Sequence, residues 1–598
     1  MNKNNYKWVT IGNARFYTDG TTCTDIEVMN NAKTVSFIYQ KFRIDRTTCQ
    51  KVFSSVENLI IERNVLSIIL PNKMFPNVKN VESKSSNFMT GKYLIEKAGM
   101  RLLNAFVQDE DAAIDFTQFY RIEDYAFEGC KARNAVGLDK MRISMVQDAA
   151  FVDSGFLDQP FINGIKRLGP FIIDIDETAD KIVLPKNDVY FCVPKRPKKC
   201  VRVTNINAFT TMRKFPQKVI IEDERIHYDD ALLYNFSSRD IEELESRVPR
   251  YKTVDGILYS ADMKTLILCP AGKTGTVIIP DGVTRIRTSA FSRSKISKVT
   301  FPDSMVSLQN EAFHGCEYLT EIDFGHGIEQ IGANGSQYIF SECVFEKLVF
   351  PPQVKEIGMN AFFSCCELKE VIFNEGLKTI QRGAFRNCPK LTEINLPASI
   401  KKVGPDAFVC QVMREGIQDI NVNMSTIPED FGCAFIHSGY MQTPRCVNVH
   451  IDNQNGIYDF VLPDCVSAVT AGYSDIILAF NLMANQYYNK KSWRLRCLKR
   501  AFMYASNSRF KYVDAFKTYK RTKNESAKRY LADYQKRAAD AIAMELTEKD
   551  FVDFLRLDFI NLGYDEDIAK QLQEQNWNVA LAYMLEEGRD SNDDALVI

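Results

Sequence analysis

Apolar residues recur in a fixed order along the middle of the chain. Between about Ile286 and Phe408, an Ala-Phe pair repeats, with an aliphatic residue four positions before the alanine and further apolar positions after the phenylalanine. The copies read IRTSAFSRSKISKVTFP, LQNEAFHGCEYLTEIDF, IGMNAFFSCCELKEVIF, IQRGAFRNCPKLTEINLP and VGPDAFVC. Their alanines are 22, 49, 23 and 23 residues apart, and the long step contains a degenerate unit, QYIFSECVFEKLVFP. A period in the twenties predicts a solenoid whose short units bury their apolar faces by stacking.

Each position of the unit predicts a structural role. Leu319, Ile322 and Phe324 follow the L-x-x-I-x-F spacing of a short strand with inward side chains. Prolines follow such strands, where a missing N–H ends the ladder: Pro302, Pro351 and Pro397. The repeated phenylalanines are predicted to stack in a column: Phe291, Phe313, Phe362, Phe385 and Phe408. The periodic cysteines are predicted to be small buried side chains rather than ligands or disulfides: Cys316, Cys343, Cys365 and Cys388.

The signature I-x-x-x-A-F-x-x-C-x-x-L-x-x-I-x-F-P resembles the leucine-rich repeats of the BspA-like type. The segment VDGILYSADMKTLILCPAG, Val254 to Gly272, resembles the Asp-Gly hairpin that such proteins place before a new run of repeats. The resemblance covers roughly residues 252–410. It implies a curved solenoid that binds other macromolecules, with no catalysis and no cofactor.

Weaker copies precede this run. IEDYAFEGC begins at Ile122, VQDAAFVDS begins 24 residues later at Val146, and strand-like halves of a unit lie near Leu59 and Val78. We interpret residues 1–250 as a divergent leucine-rich-repeat-like region, the alternative being a separate α+β domain with chance matches. Residues 251–411 are then the BspA-like repeats, and residues 412–472 form a mixed region that closes the solenoid.

From about Tyr473 onward, apolar residues at spacings of three and four predict helices, four of them in residues 473–545. The predicted fold class is therefore an α+β repeat protein, a leucine-rich-repeat solenoid followed by an all-α region. Residues 490–537 contain 16 Lys or Arg and 3 Asp or Glu, a net charge of +13. This basic helical region is interpreted as a solvated face, and a nucleic acid or an acidic surface stays open as its partner.

The acidic C-terminal end carries a second resemblance. DFVDFLRLDFINLGYDEDIAKQLQEQNWNVALAYMLEEG predicts three short helices, the first ending at Leu562-Gly563-Tyr564 and the second capped by Asp565. Their order resembles a ubiquitin-associated (UBA) domain over residues 546–590, before a tail, 591–598, predicted to be disordered. The resemblance implies an apolar patch of Leu562, Gly563, Tyr564 and Leu585. Ubiquitin or a ubiquitin-like protein is the implied partner, although a helical cap without that binding is the favoured alternative.

No catalytic, cofactor-binding or metal-binding residues are predicted. The 5 histidines include no pair at metal-ligand spacing, the segment AGKTGT lacks the first glycine of a phosphate loop, and no G-x-S-x-G motif occurs. The 16 cysteines show no disulfide-framework spacing, and no stretch of 18 apolar residues or signal-like N-terminal run is present. We therefore expect a cytoplasmic protein that is not an enzyme.

Residues between the inward positions of each strand should point outward, because side chains alternate along a strand. Stacking places them in columns on the strand face, which we predict to bind a partner: Lys298, Glu321, Asp323, Lys347, Val349, Glu370, Ile372, Glu393 and Asn395. The function predicted from the sequence is that of a protein-interaction scaffold. The alternatives are a nucleic-acid- or membrane-associated factor acting through residues 490–537, or a surface adhesin.

Overall fold

The computed structural model describes residues 6–47, 49–142, 145–227, 240–332, 335–411, 418–438, 445–454, 456–466, 472–484 and 493–593. The chain divides into two compact units, Met1–Gly256 and Ile257–Ile598. Each unit is described by itself. Across the described residues, no helix combines the length and the apolar character needed to cross a membrane.

The first unit is built almost entirely of short strands. Their bounds are β1 Lys7–Ile11, β2 Ala14–Thr18, β3 Thr22–Val28, β4 Thr34–Phe37, β5 Lys41–Arg43, β6 Asn58–Ile61, β7 Ser67–Ile69, β8 Asn80–Ser83, β9 Tyr93–Glu96, β10 Arg101–Ala105, β11 Ala113–Asp115, β12 Arg121–Ile122, β13 Asn134–Val136, β14 Ile165–Leu168, β15 Phe171–Ile175, β16 Ile182–Val183, β17 Tyr190–Phe191, β18 Cys200–Val203, β19 Lys218–Ile221, β20 Glu243–Ser246 and β21 Tyr251–Val254. One short helix, α1 Ile206–Thr210, lies between β18 and β19.

These strands stack mainly as parallel ladders. The unit begins with the antiparallel strands β1, β2 and β3, and β3, β5 and β7 continue in parallel. The ladder β4-β6-β8 is parallel throughout, as is β16-β18-β19-β20. The hairpin β9–β10 pairs with β12 at its other edge.

The Ala-Phe units of this region stack on one another. Ile122 and Val146 form a parallel bridge, and the Phe127 N–H donates to the Ala150 carbonyl. The rings of Phe127 and Phe151 lie 5.4 Å apart and 11° from parallel. Each ring is completely buried in the core. Successive units therefore contact one another through backbone and aromatic side chains.

The second unit begins with the strongest repeats. Its strands are β22 Ile257–Ser260, β23 Thr265–Leu268, β24 Thr274–Ile278, β25 Arg285–Ile286, β26 Lys295–Thr300, β27 Ser307–Leu308, β28 Glu321–Asp323, β29 Gln330–Ile331, β30 Lys347–Val349, β31 Glu356–Ile357, β32 Glu370–Ile372, β33 Thr379–Ile380, β34 Glu393–Asn395, β35 Lys402–Val403, β36 Ile420–Met424, β37 His437–Ser438, β38 Cys446–Asn453, β39 Gly456–Pro463 and β40 Cys465–Val466. Helix α2, Phe431–Phe435, occurs near the end of the repeats.

Two sets of parallel ladders run along this solenoid. One contains β24-β26-β28, β30-β32 and β34-β36-β38, and the other contains β23-β25-β27 and β29-β31-β33-β35. The antiparallel partner β39 closes the first set at its C-terminal end. The predicted L-x-x-I-x-F strand is shorter than its motif, since β28 spans only Glu321–Asp323. The predicted solenoid fold is confirmed.

The predicted aromatic column is present and longer than expected. Its rings are separated by 4.5 to 5.4 Å with planes within 17° of parallel: Phe291, Phe313, Phe340, Phe362, Phe385, Phe408 and Phe435. Phe340, from the degenerate unit, completes it. The Phe362 N–H donates to the Ala384 carbonyl at 2.8 Å, and Phe385 bonds Ala407 in the same way. This close backbone approach suits the alanine that precedes most of these phenylalanines, although Ile339 occupies that position before Phe340 and its carbonyl accepts from the Phe313 N–H at the same 2.8 Å.

The periodic cysteines form a second column beside the rings. The Cys365 thiol donates to the Phe340 carbonyl at 3.2 Å, and the Cys388 thiol donates to the Phe362 carbonyl at 3.3 Å. Both side chains are buried. No disulfide joins any of the chain's cysteines, all of which fall in the described segments. The cysteines thus satisfy backbone carbonyls in addition to filling space.

This burial predicts a reactivity difference between neighbouring residues. Burial raises the pKa of the Cys365 thiol to about 12, whereas Cys366 is only half-buried. Because the thiolate is the reactive form, we expect a thiol reagent to label Cys366 of the native protein and leave Cys365 unlabelled. Fragmentation mass spectrometry of the peptide holding both residues distinguishes them. Equal labelling would contradict the buried position of the cysteine column.

A helical region follows the solenoid, as predicted. Its helices are α3 Gly472–Ala484, α4 Trp493–Leu498, α5 Ser508–Thr522, α6 Glu525–Asp533, α7 Gln535–Glu545, α8 Glu548–Leu555, α9 Glu566–Glu574 and α10 Asn578–Asp593. The fourth predicted helix is split into α6 and α7 at Tyr534, whose φ of −130° leaves helical geometry. Residues 485–492 lie outside the described residues, and so do residues 594–598 of the predicted disordered tail.

Helices α5 to α10 share one apolar core. Phe516 of α5 contacts Phe554 of α8, with ring centroids 5.8 Å apart. Ile542 of α7 and Ile568 of α9 belong to the same buried cluster. Helix α8 ends at Leu555, earlier than the predicted Leu562, because the following turn packs Ile560 into this core. The segment 546–590 is therefore packed against the basic helices rather than separate from them.

Candidate functional site

The predicted strand face has the geometry that alternation requires. In the register of the parallel ladders, Lys298 pairs with Glu321 and Lys347 pairs with Glu370. Their side chains are exposed or half-buried, while the intervening Val299, Leu348 and Val371 are buried. Direct pairing links β26 with β28, β30 with β32, and β34 with β36. Among the described residues, no ladder pairing joins β28 to β30 or β32 to β34.

Ion pairs run along this face from coil to coil. The Lys298 ammonium lies 2.9 Å from the Glu321 carboxylate, and the same distance separates Lys347 from Glu370. The hydrogen bond from the ammonium to Glu321 raises the pKa of Lys298. These acids are therefore partly neutralised within the solenoid, which the sequence did not reveal.

An apolar pair lies beside the Lys347–Glu370 ion pair. Val349 and Ile372 are directly opposite each other in the ladder, and they are 53% and 42% exposed. Exposed apolar side chains inside a polar rim are typical of the central part of a protein interface. This pair is a feature of the strand face that chemistry within the chain does not explain.

Amide side chains continue the face toward its C-terminal end. The Asn423 amide donates to Glu393 at 2.6 Å and to Asn395 at 2.8 Å. One coil further on, Asn448 donates to Asn421 at 3.0 Å. Sequence reasoning missed Asn421, Asn423 and Asn448, although the alternating pattern of INVNM and CVNVH was the signal for them. The ladder orders the side chains in this half of the face.

Acidic residues pair with the basic helical region. Lys520 of α5 contacts Asp550 at 3.1 Å and Asp553 at 2.6 Å, both on α8. Lys536 of α7 lies 2.8 Å from the Asp565 carboxylate. Further pairs are Arg509 with Glu545, Lys517 with Asp419 and Lys528 with Asp558. Five of the 16 basic residues predicted to attract an acidic partner are thus engaged by acids inside the chain.

A buried polar cluster joins α5 to the end of the solenoid. Asp514 accepts a hydrogen bond from the Cys446 thiol at 3.1 Å, and Asp464 lies 3.9 Å from the Arg445 guanidinium. All four side chains are buried. Burial raises the pKa of both Asp464 and Asp514 to about 7. Because these groups are enclosed by the fold, we interpret the cluster as structural.

The residues of the UBA-like patch differ in exposure. Tyr564 and Leu585 are 50% and 44% exposed, whereas Leu562 is half-buried against the helical core. Gly563 adopts a left-handed φ of 59°. Asp565 caps α9 as predicted, its carboxylate accepting from the N–H groups of Asp567 and Ile568. Whether these residues form one ligand-binding patch stays a prediction.

Within the described ranges, no group of three or more His, Cys, Asp or Glu side chains is arranged to hold a metal ion. Cys192 and Cys200 stand at the two ends of the basic segment CVPKRPKKC; they are buried and half-buried respectively and are not joined by a disulfide.

The repeat type is identified by comparison with known families. Residues 272–335 and 333–431 match the model described as BspA type leucine rich repeat region, in 6 copies. These residues therefore carry BspA-type leucine-rich repeats. The match ends before the helical region, and the UBA resemblance has no support from it. A comparison with curated proteins gives no match.

Solved structures of other leucine-rich-repeat proteins are similar to the chain. A leucine rich cell surface protein from Faecalibacterium prausnitzii is 19% identical, with 64% of this chain and 93% of that chain covered and a TM-score of 0.27. A leucine-rich repeat protein from Eubacterium ventriosum is 14% identical, with coverages of 67% and 93% and a TM-score of 0.27. The T. pallidum leucine rich repeat protein is 27% identical, with coverages of 27% and 88% and a TM-score of 0.23. At TM-scores this low, the likeness supports no conclusion about function.

Proposed function

We propose that this chain is a non-enzymatic binding protein that holds a protein partner on the strand face of residues 298–395. The observation that carries the proposal is the exposed pair Val349 and Ile372, which lies beside the Lys347–Glu370 ion pair on an ordered sheet surface. Solenoids use such extended faces for binding. A partner would bury the apolar pair and leave the internal ion pairs in place at the rim.

The charge of the face favours a partner with basic character. The nine residues predicted to bind include two lysines and four acidic residues. Both lysines are engaged by Glu321 and Glu370, and in the described part of the chain Asp323 and Glu393 form no ion pair. The uncompensated charge is therefore negative and lies on either side of the apolar pair. Complementary basic groups on the partner would fix its orientation.

The nucleic-acid alternative is weakened by the internal ion pairs of the basic helices. Binding to phosphates requires cations that can exchange counterions for the ligand. Lys520 and Lys536 each contact two carboxylates instead.

We propose the cytoplasm as the location, since burial of many thiols suits a reducing compartment. Fractionation of the native host cells tests this, and recovery with the cell surface would favour the adhesin alternative.

The double substitution Val349→Lys with Ile372→Lys tests the binding face. We expect it to weaken binding at least tenfold, because each lysine would be desolvated against an apolar partner surface. The partner is first captured from the host with the intact chain and identified by mass spectrometry. Its affinity for each purified variant is then measured by titration calorimetry.

The matched control is Val306→Lys, which changes an equally exposed valine outside the strand face. Val306 is 62% exposed and directly precedes β27 of the other ladder set. It should bind the partner as the wild type does, and all variants should melt at the same temperature. Equal affinities for the double variant and the control would show that the partner binds elsewhere.

A charge reversal at Glu393 tests the sign of the partner's charge. Glu393→Arg should weaken binding several-fold and make it less sensitive to salt. The variant loses a carboxylate that accepts a hydrogen bond from Asn423 but, within the described residues, makes no ion pair, and that would face the basic partner. Lys401→Glu, also exposed but on the other side of the coil, should have no effect. Affinity measured at two ionic strengths checks both. Stronger binding by the Glu393 variant would indicate an acidic partner instead.

A further inference from the structure

Strand β39 leaves one edge of its sheet without a partner strand. The sheet β34-β36-β38-β39 ends at β39, which pairs only with β38 among the described strands. A groove of about 730 Å³ lies beside it. The groove is lined by β39 from Ile457 to Val461, by Leu498 and Lys499, and by the residues where α5 ends and α6 begins. A free strand edge is a template for pairing with another chain.

The pairing register shows which backbone groups of β39 point away from β38. In an antiparallel pair, residues that exchange backbone hydrogen bonds alternate with residues whose N–H and C=O groups point outward. The Asp464 N–H donates to the Arg445 carbonyl at 3.1 Å, so bonded pairs recur at every second residue from there. Ile457 and Asp459 therefore direct their backbone groups outward. Pro463 belongs to the same set, where its missing N–H costs the ladder no bond.

The outward groups are open at one half of the strand. Ile457 is 65% exposed and Asp459 is also exposed, whereas residues 460–463 are buried. In the described part of the chain, the backbone groups of Ile457 and Asp459 form no hydrogen bond with any other segment. The free edge therefore extends over Gly456 to Asp459, enough to pair with an extended segment of about four residues.

Positive side chains stand along the groove. Three of them are exposed and, within the described ranges, form no ion pair: Lys499, Arg521 and Lys523. Two carboxylates share the wall, Glu525 and Asp459, and the Asp459 carboxylate lies 2.9 Å from the His450 imidazole. The available charge is therefore mainly positive, which favours a segment with acidic side chains.

A peptide suits this groove better than a nucleic acid does. An added strand brings both N–H and C=O groups to the free edge, whereas a phosphate offers acceptors only. Glu525 and Asp459 would also repel a chain of phosphates. The exposed Ile457 gives an apolar or β-branched side chain of the added strand a neighbour to pack against.

We propose that β39 binds an acidic, extended segment of a protein partner as an added strand, with Lys499, Arg521 and Lys523 contacting its carboxylates. The site is separate from the strand face of residues 298–395, and its ligand carries the opposite charge to the basic partner of that face. The helical region then takes part in recognition as one wall of the groove.

Fluorescence anisotropy with the full chain and labelled synthetic peptides tests the proposal. We expect saturable, salt-sensitive binding of the acidic peptide EVDVTVE and no binding of its basic counterpart KVKVTVK. The peptide EVPPTVE should bind at least tenfold more weakly than EVDVTVE, because neighbouring residues of a strand face opposite edges and one of the two prolines must lack the N–H that β39 needs. No binding of EVDVTVE, equal binding of EVPPTVE, or tighter binding of a single-stranded oligodeoxythymidylate would each overturn the proposal.

A substitution in β39 tests the strand edge. Ile457→Pro removes an outward N–H and leaves the bonds to β38 in place, so it should weaken binding of EVDVTVE several-fold. Ile457→Val keeps the N–H and should bind the peptide as the wild type does. Equal affinities of these two variants would overturn the assignment to the edge of β39. If Ile457→Pro does not fold, the comparison of EVDVTVE with EVPPTVE makes the same test on the unaltered chain.

A charge reversal tests the basic wall. Arg521→Glu should weaken binding of EVDVTVE at least tenfold and leave the melting temperature unchanged, because Arg521 is exposed at the end of α5. Arg529→Glu is the control, since Arg529 is an exposed arginine of α6 that does not line the groove. Equal peptide affinities of the two variants would place the acidic peptide elsewhere and overturn the proposal.

Discussion

Replacing Phe362 with alanine is expected to lower the free energy of unfolding by roughly 3–5 kcal/mol, the usual cost of removing a buried phenylalanine. Phe362 is fully buried, and its ring lies 5.3 Å from both Phe340 and Phe385 in near-parallel stacks. Phe345 and Phe350 contact its edge. The cavity cannot collapse easily, because the backbone on both sides is fixed by hydrogen bonds between coils. Denaturant unfolding of the purified chain measures the loss.

The neighbouring Phe363 provides a matched control. It is half-buried and contacts Tyr338 at the surface, with ring centroids 5.7 Å apart. Phe363→Ala should cost about 1 kcal/mol or less, as surface-proximal substitutions usually do. In a solenoid each coil is stabilised by its neighbours, so loss of Phe362 should also expose Cys365 to thiol reagents. Similar losses for the two variants would mean that the aromatic column contributes little beyond ordinary burial.

The sequence predicted those features that depend on residues within one repeat unit. The spacing of Ala361 and Phe362 against Ala384 and Phe385 is sufficient to place both rings in adjacent coils. Alternation along a three-residue strand is likewise sufficient to place Val349 outward. The degenerate unit was harder, since Ile339 replaces the alanine before Phe340, yet its phenylalanine keeps its place in the stack.

Contacts between distant segments could not be predicted in this way. The pairing of Lys520 with Asp550 and Asp553 depends on how α5 packs on α8, and the local pattern of charges holds no information about that packing. For the same reason, the packing of residues 546–590 against α5 and α7 was not foreseen.

Stability should depend on pH through Asp514, which packs against the end of the solenoid from α5. Burial raises its pKa from 3.8 to about 7, so the folded protein keeps a proton that the unfolded chain releases. Between about pH 4 and 7 the folded state therefore binds more protons, and stability falls as the pH rises. As the pH rises across this range, the free energy of unfolding of Asp514→Asn should increase relative to that of the wild type. At pH 8 the variant should be more stable by on the order of 1–3 kcal/mol. The asparagine oxygen can still accept from the Cys446 thiol.

The diagnostic result is how the difference in free energy of unfolding between variant and wild type changes with pH. It is measured by denaturation at several pH values, followed by circular dichroism. Asp464 has a similarly raised pKa, and burial lowers the pKa of His437, which costs stability as the pH falls below about 6.5. Both groups remain in the variant and in the wild type. The His437 contribution is therefore common to both proteins, whereas Asp514→Asn also removes a charge that helps to raise the pKa of Asp464. Asp533→Asn removes an exposed carboxylate from α6 and should show no such slope.

A pH-independent difference for Asp514→Asn would mean that Asp514 is ionised in the folded protein. Its carboxylate would then have to be stabilised by Lys517, whose ammonium already lies 2.7 Å from Asp419.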